Sequence, residues 1–250
     1  MASTPYSTIP LDFDDIALRY AQRGIVIGDT RVGKSELSEA LFFYWLHHYR
    51  NASILILDTK PHYAAEWQPS GWNTSKKYRS KIERMVKGSV LCTDPKGLED
   101  ALKWGKIVIA QGDDSQISLL NRIAMSYYDH AEKRKPRLLV VDELHDFYTS
   151  GAAKRATGSD AIVKTARAGG ERGMSVLCLA QRPVGIPIGL KNWTDKAYFF
   201  ATSAGKDIKS MEDMGIPMSL EGRIPDVRYD FVYWTKQERK SLYGPYRLDL

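Results

Sequence analysis

Cysteine is scarce in this chain: Cys92 and Cys178 are the only two in 250 residues. Both lie in or beside apolar runs. Two thiols cannot make a metal site alone, so buried free thiols are expected rather than a disulfide framework. The five histidines show no metal-ligand spacing. Long hydrophobic runs are missing as well, and none approaches the roughly 18–20 residues that cross a bilayer, so no membrane span is expected. The opening "MASTPYSTIPLDFDD" lacks the charged-then-apolar pattern of an export signal, which points to the cytoplasm. Repeats and low-complexity linkers are absent too, and one domain over 1–250, with an N-terminal arm at 1–20, is the simplest organisation. Acidic excess is the last thing lacking: 36 Lys and Arg stand against 30 Asp and Glu, a net charge of +6. That balance leans mildly toward a polyanionic partner.

What is present is an alternation of short apolar runs with longer amphipathic ones. "GIVIG" (24–28), "SILILD" (53–58), "KIVIAQ" (106–111), "RLLVVDE" (137–143), "MSVLCLAQ" (174–181) and "KAYFFAT" (196–202) read as strands. Such unalternating runs suit a mostly parallel sheet covered by helices on both faces. "SELSEALFFYWLHHY" (35–49) reads as a helix, with Leu37, Ala40, Leu41, Tyr44 and Trp45 at helical spacing. Residues 59–105 read as an insertion, in which Tyr63, Trp67, Trp72 and Tyr78 sit among Lys76, Lys77, Arg79 and Lys81. The tail, 226–250, reads as a hairpin or an arm.

"GDTRVGKS", Gly28 to Ser35, follows a strand and opens a helix, the context a phosphate-binding loop demands. Gly28 and Gly33 can take backbone angles closed to other residues. The amides of Asp29, Thr30, Arg31, Val32, Gly33, Lys34 and Ser35 can then form a nest at a helix N-terminus. In this role Lys34 reaches the β- and γ-phosphates of a nucleotide and Ser35 ligates Mg2+. "RLLVVDE" adds Asp142 and Glu143 at an apolar strand end, where acids are unfavourable unless used. Asp142 would hold Mg2+ through water, and Glu143 would orient and deprotonate an attacking water. That pairing suits a hydrolase better than a kinase. The nearest guanine-reading candidate, "KNWTD" (191–195), lacks the Lys after Asn, which favours ATP. His145, two residues beyond Glu143, is expected to support the pair or the packing.

Taken together, "GDTRVGKS", "LLVVDELHDF" and "ARAGGERGMSVLCLAQRP" resemble the FtsK–HerA superfamily of DNA-pumping ATPases, over roughly residues 20–205. "LILDTKPHY" is similar to the second-strand segment of HerA-like members, although Thr59, Pro61 and the lack of an acid before Tyr63 depart from their D-P-x-G-E-Y type pattern. The resemblance implies a RecA-like (ASCE) P-loop NTPase fold. It also implies a strand between the Asp142–Glu143 strand and the phosphate-loop strand, ending in a polar sensor, a place that falls to Gln181. An amide suits a γ-phosphate sensor because it both donates and accepts.

The resemblance further implies a homo-oligomeric ring, a hexamer favoured over a pentamer, with ATP between subunits and double-stranded DNA as partner. A positive group acting in trans is expected, Arg172 or Arg167, with Arg182 and Lys196 as weaker alternatives. Lys154 and Arg155, and the cluster Lys76, Lys77, Arg79 and Lys81, are candidates for phosphate-backbone contacts, with a merely solvated surface the competing reading. At 250 residues neither a nuclease domain nor a winged helix is expected beside the motor. That leaves a short motor of the viral genome-packaging kind, with a capsid vertex protein as a further partner and location in the host cytoplasm or at the virion's packaging vertex. A cellular or plasmid DNA-translocating ATPase, or an assembly switch with little turnover, are the alternatives.

Overall fold

The structure, a computed structural model, describes residues 13–60, 63, 88–104, 106–149, 160–202, 208–212, 214–216, 224–225, 228–238 and 242–247. Nine strands among them build one sheet: β1 (Arg23–Ile27), β2 (Ser53–Asp58), β3 (Val90–Leu91), β4 (Ile107–Gln111), β5 (Arg137–Asp142), β6 (Met174–Ala180), β7 (Lys196–Phe200), β8 (Asp230–Thr235) and β9 (Leu242–Arg247). Their order is β3-β4-β2-β5-β6-β1-β7-β8-β9. All pairings from β3 to β7 are parallel, while β7–β8 and β8–β9 are antiparallel. The fold is therefore a mostly parallel sheet with an antiparallel edge.

The unalternating apolar runs work as a doubly covered sheet requires. Ile25, Leu55, Leu57, Leu139, Val141, Val176 and Cys178 face one buried cluster. Val26, Ile54, Ile56, Leu138, Val140, Leu177 and Leu179 face the other. Every second residue thus turns to the same side, and both sides are dry. The first cluster is closed by α3 (Leu98–Trp104), α4 (Ile117–Asp129) and α6 (Ala161–Ala168). Asp160 caps α6, its side chain accepting from Ile162 N at 3.0 Å and Val163 N at 3.1 Å. The second cluster is closed by α2 (Lys34–His48). Both cysteines are free and buried.

Three sequence expectations need adjusting. Tyr44 is not on the fully buried side of α2: its ring stacks on His48 at 4.3 Å, and Phe42, Phe43 and Leu46 are buried in addition to the spaced set. The helix is enclosed on several faces, so a single apolar stripe underestimates its core. The stretch 59–105 is not wholly an insertion, because β3 joins the sheet beside β4 and α3 buries Leu98 and Ala101. A two-residue strand leaves no apolar run to detect. Within residues 1–20, α1 (Phe13–Ile16) leads into buried Ile16, Ala17 and Leu18. Lys196 Nζ donates to Asp15 O at 2.7 Å and Ala17 O at 2.8 Å, and Tyr198 Oη donates to Ile16 O. The tail forms an antiparallel hairpin, β8 and β9, against β7.

Candidate functional site

Parallel strands deliver their carboxyl ends to one edge, and an open α/β sheet binds ligands there. Gly28 directly follows β1, Glu143 follows β5, Gln181 follows β6, and Thr59 and Lys60 follow β2, with β6 lying between β5 and β1. The phosphate loop is hooked onto this edge at two points. Gly28 N donates to Ala180 O at 3.2 Å, and Asp29 N donates to Ala201 O at 2.9 Å. A Cβ on Gly28 would stand 2.6 Å from Phe200 Cβ, so only glycine lets the loop lie this close. Gly33, at φ 112, turns the loop into α2. Arg31 takes the left-handed region at φ 63 despite its side chain.

Inside the loop, Lys34 Nζ donates to Gly28 O at 2.8 Å and Asp29 O at 2.7 Å. Burial lowers the Lys34 pKa, while the carboxylates of Glu143, Asp142 and Asp29 pull it upward. Ser35 follows at the N-terminal turn of α2. Asp142 is buried at the end of β5, in register with Asp58 of β2. A hydroxyl and a carboxylate are oxygen donors of the kind Mg2+ takes alongside water and phosphate oxygens, so Ser35 and Asp142 fit that ion.

Glu143 is the most heavily engaged group. Its backbone is left-handed at φ 59, and its Oε2 accepts from Gln181 Nε2 at 2.7 Å and from Lys60 Nζ at 3.1 Å. Its Oε1 lies 3.6 Å from His145 Nδ1, too far for a good hydrogen bond but close enough for an ion pair. His145 Nε2 lies 2.8 Å from Val184 O. A carbonyl only accepts, so this nitrogen carries a proton, and a second proton on Nδ1 makes the pair with Glu143 attractive. Burial alone would raise the Glu143 pKa, but pairing with His145, Gln181 and Lys60 outweighs it and holds the carboxyl at about 2. The same pairing raises the His145 pKa against its own burial.

Lys34, Asp142, Glu143 and Gln181 thus share one edge. Arg172 and Arg167 do not. They precede β6, at the other end of the strand that Gln181 follows. The Arg172 guanidinium lies 4.9 Å over the Tyr128 ring and Nη1 donates to Asp129 O at 3.1 Å, whereas Arg167 is exposed near the end of α6. Lys196 is spent on the carbonyls of Asp15 and Ala17, at the end of α1. Lys76, Lys77, Arg79, Lys81, Lys154 and Arg155 lie outside the described residues, as do Trp67, Trp72 and Tyr78.

Sequence reasoning assigned no role to Lys60, Thr59 or Asp146. Thr59 Oγ1 donates to Asp146 Oδ2 at 2.6 Å, joining the end of β2 to α5 (Leu144–Thr149). The available signal was position: Thr59 and Lys60 directly follow "LILD", a strand ending at the same edge. On the other flank of β1, Tyr229 N donates to Val32 O at 3.0 Å and Arg228 Nε donates to Arg31 O.

No protein-family model matches the chain, and no curated protein does. Solved structures do. The genome packaging NTPase B204 from Sulfolobus turreted icosahedral virus 2, in complex with sulfate, superposes with a TM-score of 0.64 at 15% identity, covering 90% of this chain and 96% of that one. The DNA-packaging ATPase B204 of Sulfolobus Turreted Icosahedral Virus gives 0.64 at 18% identity, covering 91% and 99%. The cytoplasmic domain of the Thermomonospora curvata Type VII Secretion ATPase EccC gives 0.52 at 13% identity, covering 90% of this chain and 25% of that one. At such identities the likeness is one of fold. The chain has the mostly parallel, helix-flanked α/β fold of P-loop ATPases, and its structural likeness to a viral packaging ATPase matches the FtsK–HerA resemblance of its motifs.

Proposed function

We propose that this chain is a Mg2+-dependent ATPase that moves double-stranded DNA and works as a ring, most simply a hexamer, in packaging a viral genome. One observation carries the enzymatic half: a loop built for phosphate and a carboxylate bonded to an amide meet at a single sheet edge, through Lys34, Glu143 and Gln181. Lys34 and the loop amides would hold the phosphate chain. Mg2+, when held by Ser35 and through water by Asp142, supplies charge neutralisation on the terminal phosphates. Glu143 orients the attacking water and accepts its proton, and Gln181 keeps that carboxylate in place. The DNA-moving half is supported by the packaging role named for the structures of similar fold and by the basic net charge. Lys154, Arg155, Lys76, Lys77, Arg79 and Lys81 remain the proposed backbone contacts.

The test is phosphate release from ATP with Mg2+, with and without duplex DNA. Turnover stimulated by DNA is expected. Glu143→Gln should bind ATP and lose roughly 10²–10⁴-fold in turnover, the range a general base contributes. Bound ATP with no turnover under either condition would leave a nucleotide-dependent assembly switch as the better description. Full turnover in Glu143→Gln would remove Glu143 from its role.

A further inference from the structure

The candidate site lies where the parallel strands end. The opposite edge, where they begin, has a chemistry of its own. Lys106 directly precedes β4, Arg50 lies before β2, Lys133 and Arg134 before β5, and Arg19 before β1. All five are exposed, and none has a carboxylate partner among the described residues. Two acids of the neighbouring loops are already answered: Lys135 takes Glu132 at 3.1 Å and Arg23 takes Asp195 at 3.2 Å. Exposed Glu171 opposes the row. In the strand order β4-β2-β5-β6-β1 the row runs across the sheet for about 19 Å. Its loops are tied to one another. Tyr20 Oη donates to Lys133 O at 2.6 Å, Tyr20 N donates to Tyr49 Oη at 2.8 Å, and Lys106 Nζ donates to Arg50 O at 3.0 Å. The charges therefore stand on a fixed face.

Two tryptophans bracket this row. Trp104, the last residue of α3, is 84% exposed. Trp193, the last residue of α7 (Ile188–Trp193), lies just before β7 and is 41% exposed, with the Arg23 guanidinium 5.8 Å over its ring. β7 lies beside β1, and β4 begins the row, so one indole stands at each end. Partners that take cations differ in what they do with an indole. Protein interfaces take tryptophan and arginine but deplete lysine. A DNA duplex offers phosphates, while its bases stay stacked inside and leave an exposed indole unused. A bilayer interface takes both: anionic headgroups meet Lys and Arg, and indole rings settle at headgroup level. Among the described residues no helix is long and apolar enough to cross a membrane, so such contact is peripheral.

We propose that this edge docks on the surface of an anionic lipid bilayer. Lys106, Arg50, Lys133, Arg134 and Arg19 face the headgroups, and Trp104 and Trp193 sit among them. Charge and aromatic insertion together supply the two signals that stable but reversible attachment needs. The nucleotide edge then faces away from the lipid, about 20 Å distant along β5. The proposal does not depend on the ATPase reading.

The test is co-sedimentation of the full chain with phosphatidylcholine vesicles, with and without phosphatidylserine, over a range of salt. Binding is expected only with phosphatidylserine and should weaken as salt rises. Lys133→Gln and Arg134→Gln should each lose about fivefold in affinity and flatten the salt dependence. Trp104→Ser should lose about tenfold and leave the salt dependence as it is. Unchanged denaturant unfolding, and unchanged titration with Mg2+ and ADP, show that the variants are folded. A wild type that sediments equally with both vesicles, or with neither, would overturn the proposal. So would variants that bind phosphatidylserine vesicles as the wild type does. Variants that lose affinity for duplex DNA while keeping it for vesicles would also overturn it and make the edge a DNA surface. None of these results touches ATP turnover, which decides the ATPase reading separately.

Discussion

Arg31 within the phosphate loop, Tyr229, whose N donates to Val32 O of that loop, and Glu143, directly after β5, hold left-handed backbone angles, φ 63, 66 and 59. Such angles disfavour residues with side chains and persist only where surrounding contacts enforce them, which is common at functional sites. The loop itself was legible because its chemistry is local: eight consecutive residues carry the amides, the glycines and the lysine. Lys60 and His145 were not, because their roles come from contacts between separate strand ends. His145 offers a measurable consequence. Its pKa is raised by pairing with Glu143, with Val184 O and Asp146 assisting. A histidine raised in this way contributes stability that is full below its unfolded value of about 6.5 and is lost as pH rises through the folded value. Denaturant unfolding should therefore show a larger stability loss for His145→Asn at pH 6 than at pH 9. An equal loss at both would mean that the imidazole carries no pairing charge. Gly28→Ala tests the loop's seat. Its Cβ would meet Phe200 Cβ at 2.6 Å, so nucleotide affinity should fall at least tenfold, read by the same titration that measures ADP binding.

At the scale of elements, strands with unbroken apolar runs were legible to within a residue or two, because a parallel strand buried on both faces has no room for polar positions. β3 was not, being too short to show a pattern, and α2 shows no single stripe because it is enclosed on several sides. The β8–β9 hairpin connects packing to the site. Phe231 of β8 lies with its ring 5.3 Å from Phe200 and 5.7 Å from Tyr246, and Phe200 is the residue under Gly28. Phe231→Ala should cost about 3–5 kcal/mol of stability, the usual range for emptying a buried phenylalanine site. Because the cavity opens beneath Phe200, nucleotide binding should weaken as well. A destabilised variant with wild-type affinity at temperatures where it stays folded would show that the hairpin supports the fold without supporting the loop.

For the molecule as a whole, the distance across the sheet decides what its arginines can do. Seven residues of β6 separate Arg172 and Gly173 from Gln181, and at about 3.3 Å per residue that is about 23 Å. No side chain spans it, so neither Arg172 nor Arg167 can reach the Glu143 site of its own chain. If either stabilises charge during hydrolysis, it does so on a neighbour, which a head-to-tail ring allows. The expectation of an arginine acting in trans came from the family resemblance and not from any pattern in the residues, since a subunit interface leaves no periodicity along the chain. Both arginines are exposed, and Arg172 is already oriented by Tyr128 and Asp129. Arg172→Ala and Lys34→Ala should each abolish turnover alone, and mixing them should restore part of it. In a mixed ring some interfaces join an intact Lys34 loop to an intact arginine. Replacing Arg172→Ala by Arg167→Ala in the mixture identifies which arginine acts. Sedimentation with Mg2+, ATP and duplex DNA supplies the independent check: a chain that stays monomeric under all these conditions has no neighbour to complement, and the ring would have to be abandoned.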